Sequence, residues 1–151
     1  MTSAGFIFYP GGRVQAEAYA PLGKAIANKG YQAIIVLMPL NLAILAPDAA
    51  DDVIAAYPQV RRGVIGGYSL GGVKAARYAH RHPDRIDGLV LVAAYPEAGV
   101  DLSRSGLAVA SVYAELDGLS EPPRIEDAFP FLPPDAVKVI IAGGNHAGFG
   151  R

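Results

Sequence analysis

The sequence predicts an α/β domain in three layers, in which about six mostly parallel strands form a sheet with helices on both faces. Three observations predict it. Short apolar runs alternate with helical patterns along the whole chain. Several of those runs lack polar alternation, as in strands that are covered on both faces. The chain has 151 residues, a length typical of one domain, and no repeat or linker divides it, so we expect a single domain over 1–151.

The first half of the chain supplies two strands and two helices. Residues 6–8 are a short apolar run that ends at a Pro-Gly-Gly sequence. The helical pattern that follows ends at Gly30, because glycine takes the left-handed position after a helix without strain. The run 33–38 predicts the second strand, and 48–57 predicts a short helix.

The second half repeats the alternation. Its predicted strands are 63–68, 88–95, 107–114 and 137–143, and its predicted helices are 70–82 and 121–129. In parallel sheets of this kind, ligands bind at the carboxyl ends of the strands. The residues directly after each apolar run are therefore the candidates for chemistry.

Composition excludes several classes of function. The net charge is −1 and the basic residues are dispersed, so nucleic acid is not an expected partner. The absence of cysteine rules out disulfides, thiolate metal sites and a cysteine nucleophile. The N-terminal sequence MTSAGFIFYPGG has no features of a signal peptide, and no apolar run approaches the roughly 20 residues that span a bilayer. We expect a cytoplasmic protein without a membrane span.

A strong motif lies between the third strand and the next helix, where residues 67–71 read GYSLG. A serine nucleophile must stand at the tip of a tight strand-to-helix turn, which strains its backbone and crowds the residues two positions away. Glycines at 67 and 71 make that turn possible. The context predicts Ser69 as a nucleophile, against the alternative of a glycine-rich packing turn with an incidental serine.

A serine needs a base, and the base needs an orienting carboxylate. The chain has three histidines. Those at 80 and 82 fall at the far end of the helix after Ser69, whereas His146 follows the last strand and is the predicted general base. Asp117 follows the strand 107–114 and is the predicted orienting acid, with Glu115 and Asp101 as its rivals. The order Ser69, Asp117, His146 is the order that this strand-turn-helix arrangement uses.

Two backbone N–H groups must stabilise the oxyanion of such a reaction. Leu70 follows the nucleophile, and Gly12 lies in the loop after the first strand, so we expect these two as donors. The chemistry would be attack on an acyl carbonyl, an acyl-enzyme intermediate and hydrolysis by water. It requires no metal and no cofactor.

The sequence resembles the α/β-hydrolase superfamily, through FYPGG, GYSLGG, HPDRIDGLVLVAAYP, AELDG and GGNHAGFG in that order. The segments MPLNLAIL and GGNHAGFG resemble those of a compact bacterial-type group within the α/β-hydrolase superfamily. The resemblance implies an esterase-like acyl hydrolase and carries the same three roles to Ser69, Asp117 and His146. The superfamily usually has about eight strands and a helix after the catalytic histidine. Because this chain looks shorter at both ends, we expect a second copy to cover exposed apolar surface in a homo-oligomer.

The substrate is less well defined by the sequence. Mostly apolar residues at or after the ends of the predicted strands offer an acyl pocket, with the alternative that they are ordinary core: Leu40, Asn41, Leu42, Tyr95 and Phe149. No insertion is long enough for a large lid, which favours small acyl esters. We expect a carboxylesterase-like serine hydrolase. The other class is a non-catalytic ligand-binding or structural protein on the same fold.

Overall fold

The structure, a computed structural model, describes residues 4–150, except for the side chains of Asn41 and Ile44. Six strands form one sheet in the order β2-β1-β3-β4-β5-β6, and every pairing is parallel. The strands are β1 (Ala4–Tyr9), β2 (Gln32–Ile35), β3 (Arg62–Tyr68), β4 (Gly88–Val92), β5 (Ala108–Ala114) and β6 (Val137–Ile141). The α-helices of the described residues are α1 (Ala20–Asn28), α2 (Ala50–Ala56), α3 (Leu70–Arg81) and α4 (Pro122–Asp127). The predicted fold class is confirmed.

One face of the sheet carries the main core. Because side chains alternate across a strand, every second residue points to this face, and the register aligns them in a row: Ile7, Ile65, Leu89 and Val109. All four are buried, and α3 packs over them with its small residues Ala75, Ala76 and Ala79. Each large apolar side chain buried in this way contributes about 2 kcal/mol. The small helix surface lets α3 approach the sheet closely and fixes the site at its N-terminus.

The opposite face is only partly covered. Tyr19 and the helix α1 pack near β1 and β2, and the aromatic residues Phe8, Tyr19 and Tyr68 form a second, smaller core there. Beside it an apolar groove of about 790 Å³ runs across the central strands, with Phe6, Val64, Val90, Val112 and Phe149 in its lining. Whether a second copy of the chain covers this groove stays a prediction.

The predicted strand 137–143 ends two residues early, at Ile141, and two other strands also end earlier than the sequence predicts. The run 33–38 stays extended, but only Gln32–Ile35 is regular strand, after which Pro39 begins a 3₁₀ turn. The run 88–95 ends at Val92 because Ala93 turns to a positive φ of 48°. The early ends free both segments to form loops at the carboxyl edge of the sheet.

The edges of the sheet differ in their exposure. All five residues of β6 are exposed, including Val137, Val139, Ile140 and Ile141. The residues of β2 at the other edge are half-buried beside α1. None of the helices in residues 4–150 is both long and apolar enough to cross a membrane.

Candidate active site

Ser69 lies in a sharp turn between β3 and α3. Its backbone has φ 52° and ψ −121°, a strained conformation for a residue with a side chain, and it immediately precedes the first residue of α3. The turn is held by two backbone hydrogen bonds, from Ser69 N–H to the carbonyl of Val92 (2.9 Å) and from Val73 N–H to the carbonyl of Ser69 (3.1 Å). This geometry lifts the serine side chain above the carboxyl edge of the sheet.

The flanking glycines are required by close backbone approaches. A Cβ atom on Gly67 would lie 2.4 Å from the carbonyl carbon of Gly71. A Cβ atom on Gly71 would lie 2.2 Å from the carbonyl oxygens of Tyr9 and Pro10. Real Cβ atoms essentially never approach other atoms within 3.0 Å, so both positions exclude a side chain. The turn expected from the sequence is present, and its glycines have the expected physical cause.

The structure brings Ser69, His146 and Asp117 into one chain of hydrogen bonds. The Nε2 atom of His146 lies 3.0 Å from Ser69 Oγ, and its Nδ1 atom lies 2.7 Å from Asp117 Oδ2. The side chain of Asp117 is fully buried and that of His146 is 12% exposed. A carboxylate on Nδ1 favours the tautomer with the proton on Nδ1, which leaves Nε2 free to accept the proton of the serine.

The position of Asp117 is fixed by a turn after β5. Its Oδ1 atom accepts hydrogen bonds from the N–H groups of Leu119 (2.8 Å) and Ser120 (2.7 Å). The hydroxyl of Ser120 in turn donates to the carbonyl of Ala93 at 2.7 Å, which ties the turn to the end of β4. The carboxylate therefore reaches His146 already oriented, with only Oδ2 left to bind the imidazole.

The rival carboxylates lie elsewhere. Glu115 accepts a hydrogen bond from the N–H of Gly143 (2.9 Å), three residues before His146, and does not bind the imidazole. Asp101 accepts from the N–H of Ser103 (3.0 Å), and the hydrogen bonds of Ser103 lower the pKa of that exposed carboxyl.

The other histidines lie at the opposite end of α3 from Ser69. His80 is exposed, and the ring of His82 packs against Tyr78.

The two predicted oxyanion donors are neighbours. A Cβ atom on Gly12 would lie 3.5 Å from a methyl carbon of Leu70, so the loop after β1 runs beside the start of α3. Within residues 4–150, neither the N–H of Gly12 nor that of Leu70 has a hydrogen-bond partner. The N–H of Gly11 is not free, because it donates to the hydroxyl of Tyr19 at 3.1 Å. The N–H groups of Gly12 and Leu70 therefore stay without a partner in the described chain, and their role as oxyanion donors stays a prediction.

The structure does not place the predicted pocket residues in one cavity of the described part of the chain. Leu42 lies beside Gly12, while Leu40 is 83% exposed. Tyr95 lines a cavity of about 380 Å³ between the loop after β4 and α4. Phe149 lines the apolar groove on the opposite face of the sheet. The side chain of Asn41 lies outside the described residues.

Sequence reasoning missed two residues that shape the site, Tyr68 and Tyr19, and it considered Glu115 only as a rival orienting acid. Tyr68 contacts His146, Tyr19 occupies the N–H of Gly11, and Glu115 holds the loop before the histidine. The sequence could have indicated a role for Tyr68, because it is next to the nucleophile at the end of a strand. Tyr19 and Glu115 act through contacts between segments that are distant in sequence, which no local pattern reveals.

The comparison with known families agrees with this architecture. A sequence model of the alpha/beta hydrolase family matches residues 5–151, nearly the whole chain. The chain belongs to the alpha/beta hydrolase family. Among the residues the structure describes, no three His, Asp or Glu side chains gather in a way that could hold a metal ion.

One curated alpha/beta hydrolase is similar to part of this chain in sequence. The pimeloyl-[acyl-carrier protein] methyl ester esterase of Chromobacterium violaceum is 36% identical over 78 residues, which is 49% of this chain and 30% of that enzyme. The chain thus matches less than a third of the length of that curated relative.

Solved structures share the fold at low identity. The structure of a predicted CIB-like hydrolase from Thermoplasma acidophilum has a TM-score of 0.83 at 18% identity, and the match covers 98% of this chain and 80% of that one. A monoacylglycerol lipase of Paleococcus ferrophilus has a TM-score of 0.77 at 16% identity, covering 94% of this chain and 85% of its own.

Proposed function

We propose that this protein is a serine hydrolase that cleaves small acyl esters through an acyl-enzyme intermediate. The observation that carries the proposal is the hydrogen-bonded chain from Ser69 Oγ through His146 to the buried Asp117, at the tip of a strained turn. A serine, a base and an orienting carboxylate in this order are what nucleophilic acyl transfer needs.

The mechanism follows from these distances. His146 Nε2 accepts the proton of Ser69 while Oγ attacks the carbonyl carbon of the ester, and Asp117 stabilises the imidazolium that forms. The negative charge that develops on the carbonyl oxygen is met by the N–H groups of Gly12 and Leu70, and by the positive end of α3. His146 then gives its proton to the leaving alcohol. Water, activated by the same imidazole, hydrolyses the acyl-enzyme and restores the serine.

The strained backbone of Ser69 argues against a purely binding or structural role. A residue held at positive φ costs on the order of 1–3 kcal/mol, and such strain persists at sites where geometry serves a function. A binding protein on the same fold has no need of a strained serine that is hydrogen-bonded to a histidine. The alternative of a non-catalytic binder therefore leaves this feature unexplained.

The preference for esters is supported by the names of the similar proteins. One is a methyl ester esterase and another is a monoacylglycerol lipase. The site of this chain is accessible, because Ser69 is partly exposed. Leu42 beside Gly12 offers an apolar contact for a short acyl chain. These features favour small, accessible esters as substrates.

The test is hydrolysis of p-nitrophenyl acetate, butyrate and octanoate by the wild type and by Ser69→Ala. We expect turnover by the wild type, loss of it in Ser69→Ala, and highest activity on the shorter esters. Ser103→Ala, in an exposed turn remote from His146, is the matched control and should keep full activity. A fluorophosphonate probe should label the wild type and not Ser69→Ala. Folded wild-type protein that neither hydrolyses an ester nor reacts with the probe would refute the proposal.

A further inference from the structure

Tyr68 connects the nucleophile turn to the histidine. It is the last residue of β3 and directly precedes Ser69. Its hydroxyl donates a hydrogen bond of 2.7 Å to the backbone carbonyl of His146. Its ring also packs against the imidazole, with centroids 5.0 Å apart and planes inclined at 40°. One side chain thus contacts both the backbone and the ring of His146.

The backbone of the segment that carries His146 has few other hydrogen bonds to the rest of the described chain. It follows the exposed edge strand β6, and its first residues are held by Glu115 on Gly143 and by the N–H of Leu116, which donates to the carbonyl of Gly144 (2.9 Å). These contacts lie two and three residues before His146. At His146 itself, the only hydrogen bond to the backbone from another element in the described chain comes from the hydroxyl of Tyr68.

Tyr68 is itself firmly held. Strand β3 pairs on both sides, with β1 and β4, so its end moves little. The ring is enclosed by the loop after β1, where a Cβ atom on Gly11 would lie 2.3 Å from a ring carbon of Tyr68. On another side it packs near Tyr19, with ring centroids 6.3 Å apart. The hydroxyl of Tyr68 is therefore held in a fixed position.

We propose that Tyr68 is a positioning residue, which sets the distance between His146 Nε2 and Ser69 Oγ and does not touch the substrate. The inference rests on the proposed serine hydrolase function. Because Tyr68 and Ser69 are adjacent, the same rigid strand end carries the nucleophile and tethers its base. Small movements of the histidine segment then leave the 3.0 Å distance between His146 Nε2 and Ser69 Oγ unchanged.

The hydroxyl of Tyr68 acts as a donor over the whole neutral range. Burial, and to a smaller extent the charge of Asp117, raises the pKa of the Tyr68 phenol. A backbone carbonyl can only accept a hydrogen bond, so a protonated phenol is the form that this contact needs.

The test is Tyr68→Phe, which keeps the ring and removes the hydroxyl. We expect kcat to fall about fivefold, the effect of losing one hydrogen bond that holds the reactive geometry, with KM unchanged. The rate of reaction with a fluorophosphonate should fall by the same factor, because it depends on the same proton transfer. Placing 4-aminophenylalanine at position 68, which restores a donor on the same ring, should restore the rate.

Tyr78→Phe is the matched control. It removes a tyrosine hydroxyl that donates to Asp51 at 2.6 Å, near the far end of α3. We expect lower stability in that variant and an unchanged kcat. If Tyr68→Phe matches the wild type in kcat and in the rate of labelling, the inference is wrong. A change confined to KM would also overturn it, because that would place Tyr68 in substrate binding.

A second measurement separates this inference from the proposed function. In proton NMR, the Nδ1–H of His146 bonded to Asp117 should give a resolved downfield signal in the wild type. We expect the signal to broaden in Tyr68→Phe, because the imidazole is held less tightly and exchanges faster with water. An unchanged signal would contradict the inference even if no ester is hydrolysed. Absence of activity that depends on Ser69 would instead refute the proposed function alone.

Discussion

Replacement of Asp117 by asparagine tests the roles assigned to the site. The two N–H groups of Leu119 and Ser120 both point at Oδ1. In the asparagine variant they select the amide oxygen for that position, so the amide NH₂ group takes the place of Oδ2 and faces His146 Nδ1. An NH₂ group can only donate, and Nδ1 must then accept. The imidazole proton moves to Nε2, the atom that has to receive the proton of Ser69.

The expected loss follows from the wrong tautomer. We expect kcat to fall by about 10⁴-fold, as in serine–histidine–aspartate sites where the geometry is kept and the tautomer is lost. That factor corresponds to about 5.5 kcal/mol in the activation barrier. The fold should tolerate the change, because the two hydrogen bonds to the turn remain and the third is only reversed in direction. Replacing one charge-assisted hydrogen bond by a neutral one costs about 1 kcal/mol.

The assay is steady-state hydrolysis of p-nitrophenyl butyrate, with the urea midpoint of each variant as a check on folding. Glu115→Gln is the matched control, since it also neutralises a carboxylate after β5. Its amide oxygen can still accept from Gly143, so we expect its kcat to stay within about threefold of the wild type. A loss of less than about tenfold in Asp117→Asn, or a large loss in Glu115→Gln, would refute the assignment of the orienting acid.

Three further predictions concern stability. Gly71→Ala should destabilise the fold by about 3 kcal/mol or more and abolish activity, because the added Cβ meets two carbonyl oxygens. Gly118→Ala should be tolerated, because nothing lies within 4 Å of the added Cβ. Urea unfolding and ester hydrolysis of the two variants test this. Glu97→Gln should cost about 2 kcal/mol and Lys74→Met less in urea unfolding, because only the first leaves the buried Lys74 ammonium without its charged partner. Burial raises the pKa of Tyr19 to about 12, so its contribution to stability should be fully present below pH 10 and be lost as the pH rises towards 12. Circular dichroism should show a smaller loss of stability over this pH range in Tyr19→Phe.

The strand–helix order and the nucleophile turn were predictable because local rules determine them. Unalternated apolar runs require cover on both faces, and a turn as tight as that at Ser69 tolerates only glycine two residues away on either side. The order of the site residues along the chain then follows from the parallel sheet. These features depend on segments of about ten residues, within which sequence and structure correspond closely.

Features that depend on contacts between distant segments were not predictable. Lys74 and Arg77 are spaced to share one helix face, a pattern typical of an exposed face. Lys74 is nevertheless only 6% exposed, because the loop after β4 folds over α3 and brings Glu97 within 3.3 Å of its ammonium. The choice between Asp117 and Glu115 depends on how the turn after β5 is wound. The predicted pocket residues follow different strands, and the sequence does not tell how far apart their loops lie.

The residues of the site lie on elements that differ in how well they are buried. Ser69 extends from a central strand, whereas His146 follows β6, whose residues are all exposed. Segments with few buried contacts open at free energies far below that of the whole domain. In rising urea the histidine segment should therefore detach first, which gives a range of concentrations in which the protein is folded but inactive. Dilution from that range should recover activity at the rate of a local rearrangement, without the slow steps of refolding.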